Sequence, residues 1–526
     1  MDPDQNRELT EIFQEIQVIN IIPDEKILLT GISIDSRKVK EGNLYLAIPG
    51  TRVDGHAYIE EAVENGAAAV VGSNPSRRYQ NLQVPYLQIE NSREGLAHLT
   101  AAWYGYPARK LIVIGVTGTD GKTTTVNLIR QILLSAGFQT GLISTVNAVI
   151  GDQTLDTGFH VTTPEALDVQ RYLARMVKSG VTHVVLEATS HGLAQKRVAA
   201  CEFDMGAVTN ITHEHLDFHG DYQGYLDAKS ELFRLISISK KESAPHAKLA
   251  VLNKDDGSYP SLKKVVENTG VKMIDYGIIS AADYQAKNIK PEPTGLRFTV
   301  EEASQKIDFQ TSLIGDYNVS NCLAALALCI EGLGIDWQNA VEGIKNLPSI
   351  PGRMEYLNLG QNFSAIVDFA HTPNALKRVL TAARKTTSKR VIVIFGSAGL
   401  RDKGKRRLMA EVSAELADLT ILTAEDPRTE SLDGILQEMA DGVISKGGIE
   451  EQDFWRVPDR GEAIRFALQL AKPEDVVMVC GKGHEQSMCF EEIEYHWDDR
   501  TAMLSALGEY LEMDGPDMPY LPTQDR

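Results

Sequence analysis

Apolar and polar positions alternate along this chain in a way that predicts strands and helices in succession. Short β-branched runs such as LIVIGV (111–116) and RVIVIF (390–395) have the length and composition of buried strands. After the first run, Val126, Ile129 and Ile132 recur at helical spacing. Strands that alternate with helices are typical of a parallel sheet covered on both faces. We therefore predict an α/β fold whose ligands bind beyond the carboxyl ends of the strands.

Breaks in these patterns divide the chain into three predicted domains. Residues 1–107 form a small N-terminal α/β domain, and residues 108–348 form a central domain with a phosphate-loop type of parallel sheet. The prolines and glycine of LPSIPG interrupt any helix before residues 349–526, which form a doubly wound, Rossmann-like domain. The proline-rich residues from Gly515 onward predict a loose tail.

Composition limits the partners and the location of the protein. The 526 residues carry a net charge of −19, which argues against nucleic acid and acidic membranes as partners. The five cysteines include no Cys-x-x-Cys pair, which favours reduced thiols in the cytosol. The N-terminus lacks the features of a signal peptide, and no apolar run approaches the ~18 residues of a membrane span. We expect a cytoplasmic monomer.

The strongest chemical signal is the segment LIVIGVTGTDGKTTTVN (111–127). A strand, a glycine turn and a helix start would bring backbone N–H groups and the Lys122 ammonium to one point, which suits a nucleotide triphosphate. The usual loop, G-x-x-x-x-G-K-[ST], would have glycine where this chain has Val116, so the spacing is a variant. Glu187 ends another apolar strand and could reach a nucleotide-bound Mg²⁺, to which Thr123 would add a hydroxyl. A glycine-rich turn without a ligand is the structural alternative.

A second polar segment, TNITHEHLDFHG (209–220), contains His213, His215, Asp217 and His219. The i, i+4 spacing of His215 and His219 could suggest zinc. An imidazole that completes a Mg²⁺ shell or positions a carboxylate is favoured over zinc, and a purely structural turn stays open.

Further candidates follow later in the chain. Lys229 lies on an amphipathic helix, YLDAKSELF, where a lone lysine is ordinarily solvated. In the last domain, polar or basic loops follow three predicted strands, and together they resemble a pocket for a charged small molecule. These loops are FGSAGLRDKGKRRL, AEDPRTE and CGKGHEQ.

Taken in order from about Ile32 to Arg500, these segments resemble the Mur ligase family. GTDGKTT resembles the family's GTNGKTT loop, with Asp120 in place of the commoner asparagine. The other matching segments are EATSHGLAQKRV, TNITHEHLDFHG, YLDAKSELF, GDYNVSNCLAA, PGRMEYL, DFAHTPNAL, LRDKGKRRLM and GKGHE. The resemblance implies an N-terminal domain for the UDP end of a substrate, a central ATPase and a C-terminal domain for an incoming amino acid.

The resemblance also implies the roles of single residues. The implied catalytic groups are Lys122, Glu187, His215 and Lys229. Lys229 would be carbamylated by CO₂, and the implied Mg²⁺ ligands are Thr123, Glu187, His215 and that carbamate. The implied ATP contacts are Gly118, Thr119, Asp120, Gly121, Lys122, Thr123, Thr124, Asn318, Arg353 and Asp368. The implied contacts to the UDP substrate are Ser36, Thr162, Thr163, Thr189, Gln195 and Arg197. The implied amino-acid contacts are Arg401, Asp426, Pro427, Arg428, Gly481 and Glu485.

The expected activity is ATP-dependent addition of a diamino acid to UDP-N-acetylmuramoyl-L-Ala-D-Glu through an acyl phosphate, for peptidoglycan precursor synthesis. A phosphate-loop kinase or nucleotide-gated binding protein is an alternative from another class. Folylpolyglutamate synthetase and other Mur ligases are alternatives within the fold, and the SIDSR segment argues against the first of them.

Two departures from the family pattern affect the predicted amino-acid site, and one of them bears on the identity of the diamino acid. Enzymes for meso-diaminopimelate usually have Asp-Asn-Pro-Arg where this chain has Glu425 to Arg428. Asp426 would suit an ammonium group, whereas Arg428 would suit a carboxylate. L-lysine or L-ornithine is therefore slightly favoured, with meso-diaminopimelate almost equal. The segment Ser397 to Leu400 replaces residues that are common in the family and changes the expected shape of the pocket.

Overall fold

The computed structural model describes residues 6–23, 25–50, 53–151, 153–155, 163–212, 216–241, 248–292, 295–302 and 305–525. The chain divides into two compact units. The first consists of Met1–Lys122, Leu133–Asp275 and Ala327–Ile335, and the second of Thr123–Ile132, Tyr276–Leu326 and Asp336–Arg526. Within the described ranges, no helix combines the length and the apolar character needed to cross a membrane. The boundaries of the three predicted domains stay a prediction.

The N-terminal part of the first unit is built on a parallel sheet in the order β3-β4-β5-β6. A short antiparallel pair, β1 with β2, precedes it. The strands are β1 (Arg7–Glu8), β2 (Leu28–Leu29), β3 (Gly31–Ser33), β4 (Asn43–Leu46), β5 (Ala67–Gly72) and β6 (Tyr86–Gln88). The helices are α1 (Leu9–Ile12), α2 (Ile59–Glu64) and α3 (Ser92–Trp103). β4 and β5 carry most of the sheet's apolar side chains, which are buried against the helices.

The larger sheet of the first unit has five parallel strands in the order β8-β11-β7-β12-β13, with β9 and β10 antiparallel at one edge. The strands of this stretch are β7 (Ile112–Thr117), β8 (Thr140–Ile143), β9 (Ala148–Ile150), β10 (Gln153–Leu155), β11 (His183–Glu187), β12 (Met205–Val208), β13 (Leu249–Asn253) and β14 (Lys272–Gly277). The helices are α4 (Lys122–Ser135), α5 (Ala166–Lys178), α6 (Ser190–Ala194), α7 (Leu216–His219), α8 (Tyr222–Ile238) and α9 (Tyr259–Thr269). β7 and β11 lie side by side, so the phosphate loop and Glu187 leave the same edge of the sheet.

The second unit contains an antiparallel ladder, β15-β16-β17, and a six-stranded sheet in the order β18-β19-β23-β20-β21-β22. In the latter sheet only β18 is antiparallel. The strands are β15 (Tyr284–Glu292), β16 (Gly295–Glu302), β17 (Gln305–Thr311), β18 (Glu355–Leu357), β19 (Ser364–Asp368), β20 (Val391–Phe395), β21 (Leu419–Leu422), β22 (Phe454–Arg456), β23 (Val476–Cys480), β24 (Ser487–Phe490) and β25 (Ile493–His496). The helices are α10 (Tyr317–Ala327), α11 (Trp337–Lys345), α12 (Pro373–Thr386), α13 (Gly404–Leu416), α14 (Leu432–Ser445), α15 (Arg460–Leu470) and α16 (Asp499–Leu511). The predicted α/β class is confirmed.

The C-terminal segment is packed against the second unit, so the prediction of a loose tail is wrong. Leu521 is fully buried in the core of that unit. The Thr523 hydroxyl donates to Asp459 Oδ2 at 2.6 Å, while Oδ1 of the same aspartate caps α15. The prolines prevent a regular helix but leave the side chains between them free to bury, which the sequence pattern does not reveal.

Candidate active site

The phosphate loop between β7 and α4 is held by the residues that follow β12. Gly118 has φ = 149°, and a Cβ at this position would lie 1.9 Å from the Thr209 hydroxyl, so only glycine fits. The Thr119 N–H donates to the Asn210 carbonyl at 2.7 Å, and the Thr209 hydroxyl donates to the Asp120 carbonyl at 2.6 Å. The sequence motif contained Thr209 and Asn210 but gave them no role. Their role here is to fix the backbone that would face the phosphates.

Lys122 begins α4 and folds back over the loop. Its Nζ donates to the Thr119 carbonyl at 2.9 Å. The two residues that follow, Thr123 and Thr124, are buried in the first turn of the helix. A helix N-terminus with an adjacent ammonium favours bound anions, because unpaired N–H groups and positive charge point the same way.

Lys229 on α8 is a buried lysine and not the solvated one that its sequence context favours. Its side chain is 1% exposed. Nζ donates to the Gly118 carbonyl at 2.6 Å and lies 4.5 Å from the centre of the Tyr225 ring. The structure thus brings Lys229 to the phosphate loop. Its carbamylation stays a prediction.

Glu187 ends β11 directly opposite Val116 of β7. Its buried carboxylate accepts from the Thr145 hydroxyl at 2.8 Å and from the Thr145 N–H at 3.2 Å. Carboxylate and hydroxyl oxygens are the ligands that Mg²⁺ prefers, so the donor types of Glu187 and Thr123 fit that ion.

In the segment TNITHEHLDFHG, residues 213–215 lie outside the described residues, and they include His213 and His215. Across the described positions there is no group of three or more His, Cys, Asp and Glu side chains arranged to hold a metal. The role of this segment, whether in Mg²⁺ binding, in zinc binding or as a structural turn, therefore stays a prediction from the sequence.

Four of the residues assigned to the UDP substrate form one connected cluster in the first unit. The Thr163 and Thr189 hydroxyls lie 2.9 Å apart, and Arg197 donates to the Thr163 carbonyl and to Gln195 Oε1, each at 2.8 Å. Arg197 also pairs with Glu165 at 2.7 Å. Burial lowers the pKa of Arg197, and its Nε has no hydrogen-bond partner among the described residues. A desolvated cation with an unused donor gains from an anionic ligand.

The other two residues of that set are placed differently. Ser36 begins a short 3₁₀ turn in the N-terminal part of the first unit, and its hydroxyl donates to Glu61 Oε2 at 2.8 Å. No described contact joins Ser36 to the cluster around Arg197. Thr162 lies outside the described residues.

The three later ATP candidates all lie in the second unit. Arg353 donates to the Thr123 hydroxyl at 3.1 Å and stacks 4.6 Å above the Phe369 ring. Asp368 ends β19, and its Oδ2 accepts from the Met354 N–H at 2.7 Å, which fixes the residue after Arg353. Asn318 is buried on α10 and donates to the Ile314 carbonyl at 2.7 Å.

Two of the amino-acid candidates, Asp426 and Glu485, are bound by the same lysine. Lys482 Nζ lies 3.0 Å from Asp426 Oδ2 and 2.5 Å from Glu485 Oε2, and its side chain is 1% exposed. Oδ1 of Asp426 also accepts from the Cys489 N–H at 2.9 Å. From the sequence, the negative charge of Asp426 could bind a substrate ammonium. In the structure Lys482 already compensates that charge.

Glu425 is a candidate that sequence reasoning missed. It is buried after β21, and its Oε2 has no hydrogen-bond partner among the described residues. A Cβ on Gly481, which has φ = 115°, would lie 2.1 Å from that oxygen, so glycine keeps the space beside it open. Burial raises the pKa of Glu425 to about 7. The available signal was its position directly before the Asp-Pro-Arg segment.

The remaining candidates lie on neighbouring loops. The backbone from Asp426 through Pro427 to Arg428 is tightly bent, with φ = 40° at Asp426 and 53° at Arg428. The Gly399 N–H donates to the Asp426 carbonyl at 2.9 Å, so the unusual Ser397–Leu400 segment contacts this loop directly. Arg401 is exposed at the end of that segment.

The fold and the loop between β7 and α4 define the class: an α/β protein with a phosphate-loop type of strand, turn and helix start. Family models match three successive parts of the chain. Residues 28–104 match "Mur ligase family, catalytic domain", 116–329 "Mur ligase middle domain" and 352–483 "Mur ligase, glutamate ligase domain".

Individual relatives agree with these models. The UDP-N-acetylmuramyl-tripeptide synthetase of Roseiflexus sp. (strain RS-1) is 39% identical over 486 residues, covering 91% of this chain and 95% of the relative. The UDP-N-acetylmuramoyl-L-alanyl-D-glutamate--2,6-diaminopimelate ligase of Geobacillus thermodenitrificans (strain NG80-2) is 38% identical over 481 residues, with coverage of 91% and 95%. A solved structure of a ligase with the latter name, 29% identical, covers 96% of this chain and 100% of its own, with a TM-score of 0.66. The chain belongs to the Mur ligase family, and the predicted ligase class is confirmed.

Proposed function

We propose that this protein is an ATP-dependent ligase that joins a diamino acid to the D-Glu side chain of UDP-N-acetylmuramoyl-L-Ala-D-Glu. The observation that carries the proposal is the buried contact of Lys229 with the Gly118 carbonyl. A phosphate-loop kinase has no need of a buried lysine at this position, whereas the resemblance gives it a role in ligation. The names of the relatives that match 91% of the chain support the same substrate.

The reaction proceeds in two balanced steps. A carboxylate oxygen of the D-Glu side chain attacks the γ-phosphorus of ATP, and the bond from that phosphorus to the β-phosphate oxygen breaks to release ADP. The amine of the incoming amino acid then attacks the acyl carbon, the carbon–oxygen bond to phosphate breaks, and the nitrogen loses its proton. Phosphorylation is required because a bare carboxylate resists attack by an amine.

Residues of the chain supply the electrostatics of the first step. The Lys122 ammonium and the first N–H groups of α4 offset charge on the phosphates, and Arg353 assists near the γ-phosphate. Mg²⁺, held by Thr123, Glu187, His215 and the carbamate of Lys229, would neutralise further phosphate charge when bound.

The other contacts follow the same assignment. The proposed nucleotide contacts are Gly118, Thr119, Asp120, Gly121, Thr124, Asn318 and Asp368. The proposed UDP-substrate contacts are Ser36, Thr162, Thr163, Thr189, Gln195 and Arg197, and the cluster around Arg197 supports four of them. The proposed amino-acid contacts are Arg401, Asp426, Pro427, Arg428, Gly481 and Glu485, to which we add Glu425. The enzyme is proposed to act as a cytoplasmic monomer.

For the diamino acid we propose meso-diaminopimelate. The slight preference for lysine or ornithine depended on an Asp426 carboxylate that was free to bind an ammonium group, and Lys482 compensates that carboxylate. Arg428 then remains as the cation of the loop that can bind a distal carboxylate. The name of the Geobacillus relative supports this choice.

Release of ADP tests the proposal when the UDP dipeptide and ATP are supplied with meso-diaminopimelate, L-lysine or L-ornithine at equal concentration. We expect release to require both the dipeptide and an amine, with meso-diaminopimelate incorporated in preference to the other two. Rapid release without any amine would favour the kinase, and preferred incorporation of lysine would contradict the assignment of the amino acid.

A further inference from the structure

Lys482 lies between the two loops that we assign to the amino acid. It follows Gly481 at the end of β23, and its ammonium contacts the carboxylates of both Asp426 and Glu485. Asp426 belongs to the loop after β21, and Glu485 belongs to the same loop as Lys482. One buried cation therefore bridges the two loops.

The Lys482 side chain keeps its charge in this position. Burial by itself would lower the pKa of Lys482, but the carboxylates of Glu485 and Asp426 outweigh burial and raise that pKa above its usual range. A buried carboxylate needs such a partner, because an uncompensated buried charge is strongly unfavourable. The ammonium is thus a fixed part of the site at neutral pH.

The charge of a binding site affects which amino acid it can accept. With Lys482 in place, the carboxylates of Asp426 and Glu485 are both paired with one buried ammonium, while Glu425 can hold a proton near neutral pH. A site whose carboxylates are already paired suits the distal end of meso-diaminopimelate, where an ammonium and a carboxylate cancel. The distal end of lysine or ornithine is a lone ammonium, which gains only if a carboxylate is left uncompensated.

We propose that Lys482 is a specificity-determining positioning residue whose ammonium occupies the place that a substrate ammonium would take between Asp426 and Glu485. The site therefore selects an amino acid with a neutral, zwitterionic distal end. This inference rests on the proposed ligase function and deepens it.

The same contact fixes the shape of the loop. The Asp426 carboxylate accepts from Lys482 Nζ at both oxygens and from the Cys489 N–H of β24 at Oδ1. The Arg428 N–H donates to the Cys489 carbonyl at 3.1 Å. These bonds stabilise the left-handed backbone conformation of Asp426 and Arg428, which residues other than glycine rarely adopt.

The test compares the ratio of kcat/KM for meso-diaminopimelate to kcat/KM for L-lysine in variants. Lys482→Met removes the charge at similar length, and we expect the ratio to fall at least about tenfold, as for one charge uncovered in a partly buried site. Asp426→Asn removes one of the two carboxylates that pair with the Lys482 ammonium, and the ratio should rise. The double variant should return toward the wild-type ratio. The KM for ATP should stay unchanged throughout, which a merely structural defect would not predict.

The control is Lys377→Met, which removes an exposed lysine of α12 and should leave the ratio unchanged. An unchanged ratio in a folded Lys482→Met protein would overturn the inference. If Lys482→Met does not fold, the direction in which the kcat/KM ratio changes in Asp426→Asn and in the double variant is the test. Equal changes in favour of lysine in both proteins would overturn the inference. Failure of the proposed function would show earlier, as a wild-type protein that is inactive with every diamino acid.

Discussion

Lys122→Met is expected to lower ADP release by at least about 100-fold, the loss typical of removing one group that stabilises developing charge. The ammonium lies over the phosphate loop, 2.9 Å from the Thr119 carbonyl, where it would meet the β- and γ-phosphates. Methionine keeps the length of the side chain and removes only the charge. The measurement is turnover at saturating UDP dipeptide, ATP and amine.

The matched control for this variant is Lys178→Met, which removes an exposed lysine at the end of α5. It should retain full turnover. A Lys122→Met protein that is folded and releases ADP at nearly the wild-type rate would show that the loop after β7 does not bind the reacting phosphates.

Lys229→Ala is expected to lower turnover by about 10- to 100-fold, the range for groups that support a bound metal. If the side chain acts as a carbamate, its loss removes a negative charge, and short carboxylates such as acetate should restore part of the activity by entering the space. The measurement is turnover with and without added carboxylate.

The specificity of that rescue is its control. Lys122→Met lacks a cation and should gain nothing from the same carboxylate. Because Lys229 is buried, thermal unfolding should be recorded for the variant, so that loss of fold is separated from loss of activity. A Lys229→Ala protein with full turnover would refute the carbamate role.

The strands of the fold were predictable because short apolar runs in the local sequence indicate which segments are buried. β7, β11, β20 and β23 are β-branched runs of about the expected length, and each is fully or almost fully buried. The strand–turn–helix at Lys122 was predictable for the same reason, since glycine, lysine and threonine at that spacing have few structural uses.

The environment of Lys229 could not be predicted from its own helix. An amphipathic pattern cannot distinguish a lysine at the margin of the apolar face from one that reaches a buried carbonyl on another element. The resemblance to the family identified Lys229 as a candidate, and its contact with the Gly118 carbonyl shows where its side chain lies.

The amino-acid loops show a different limit. The sequence showed the charges of Asp426, Glu485 and Lys482, but which charges pair depends on how the loops after β21 and β23 meet. Burial of the Glu425 carboxyl group likewise depends on packing around Gly481. Long-range pairing of this kind leaves no periodicity in the sequence.

Transfer of oxygen from the D-Glu side chain to phosphate tests the central claim, formation of an acyl phosphate, most directly. The UDP dipeptide is prepared with ¹⁸O in that carboxylate, and the released phosphate is analysed by mass spectrometry after one turnover. We predict that each phosphate carries a single ¹⁸O atom, because the carboxylate oxygen that attacked the phosphorus leaves with it. Unlabelled phosphate, released together with the amide product, would contradict the mechanism.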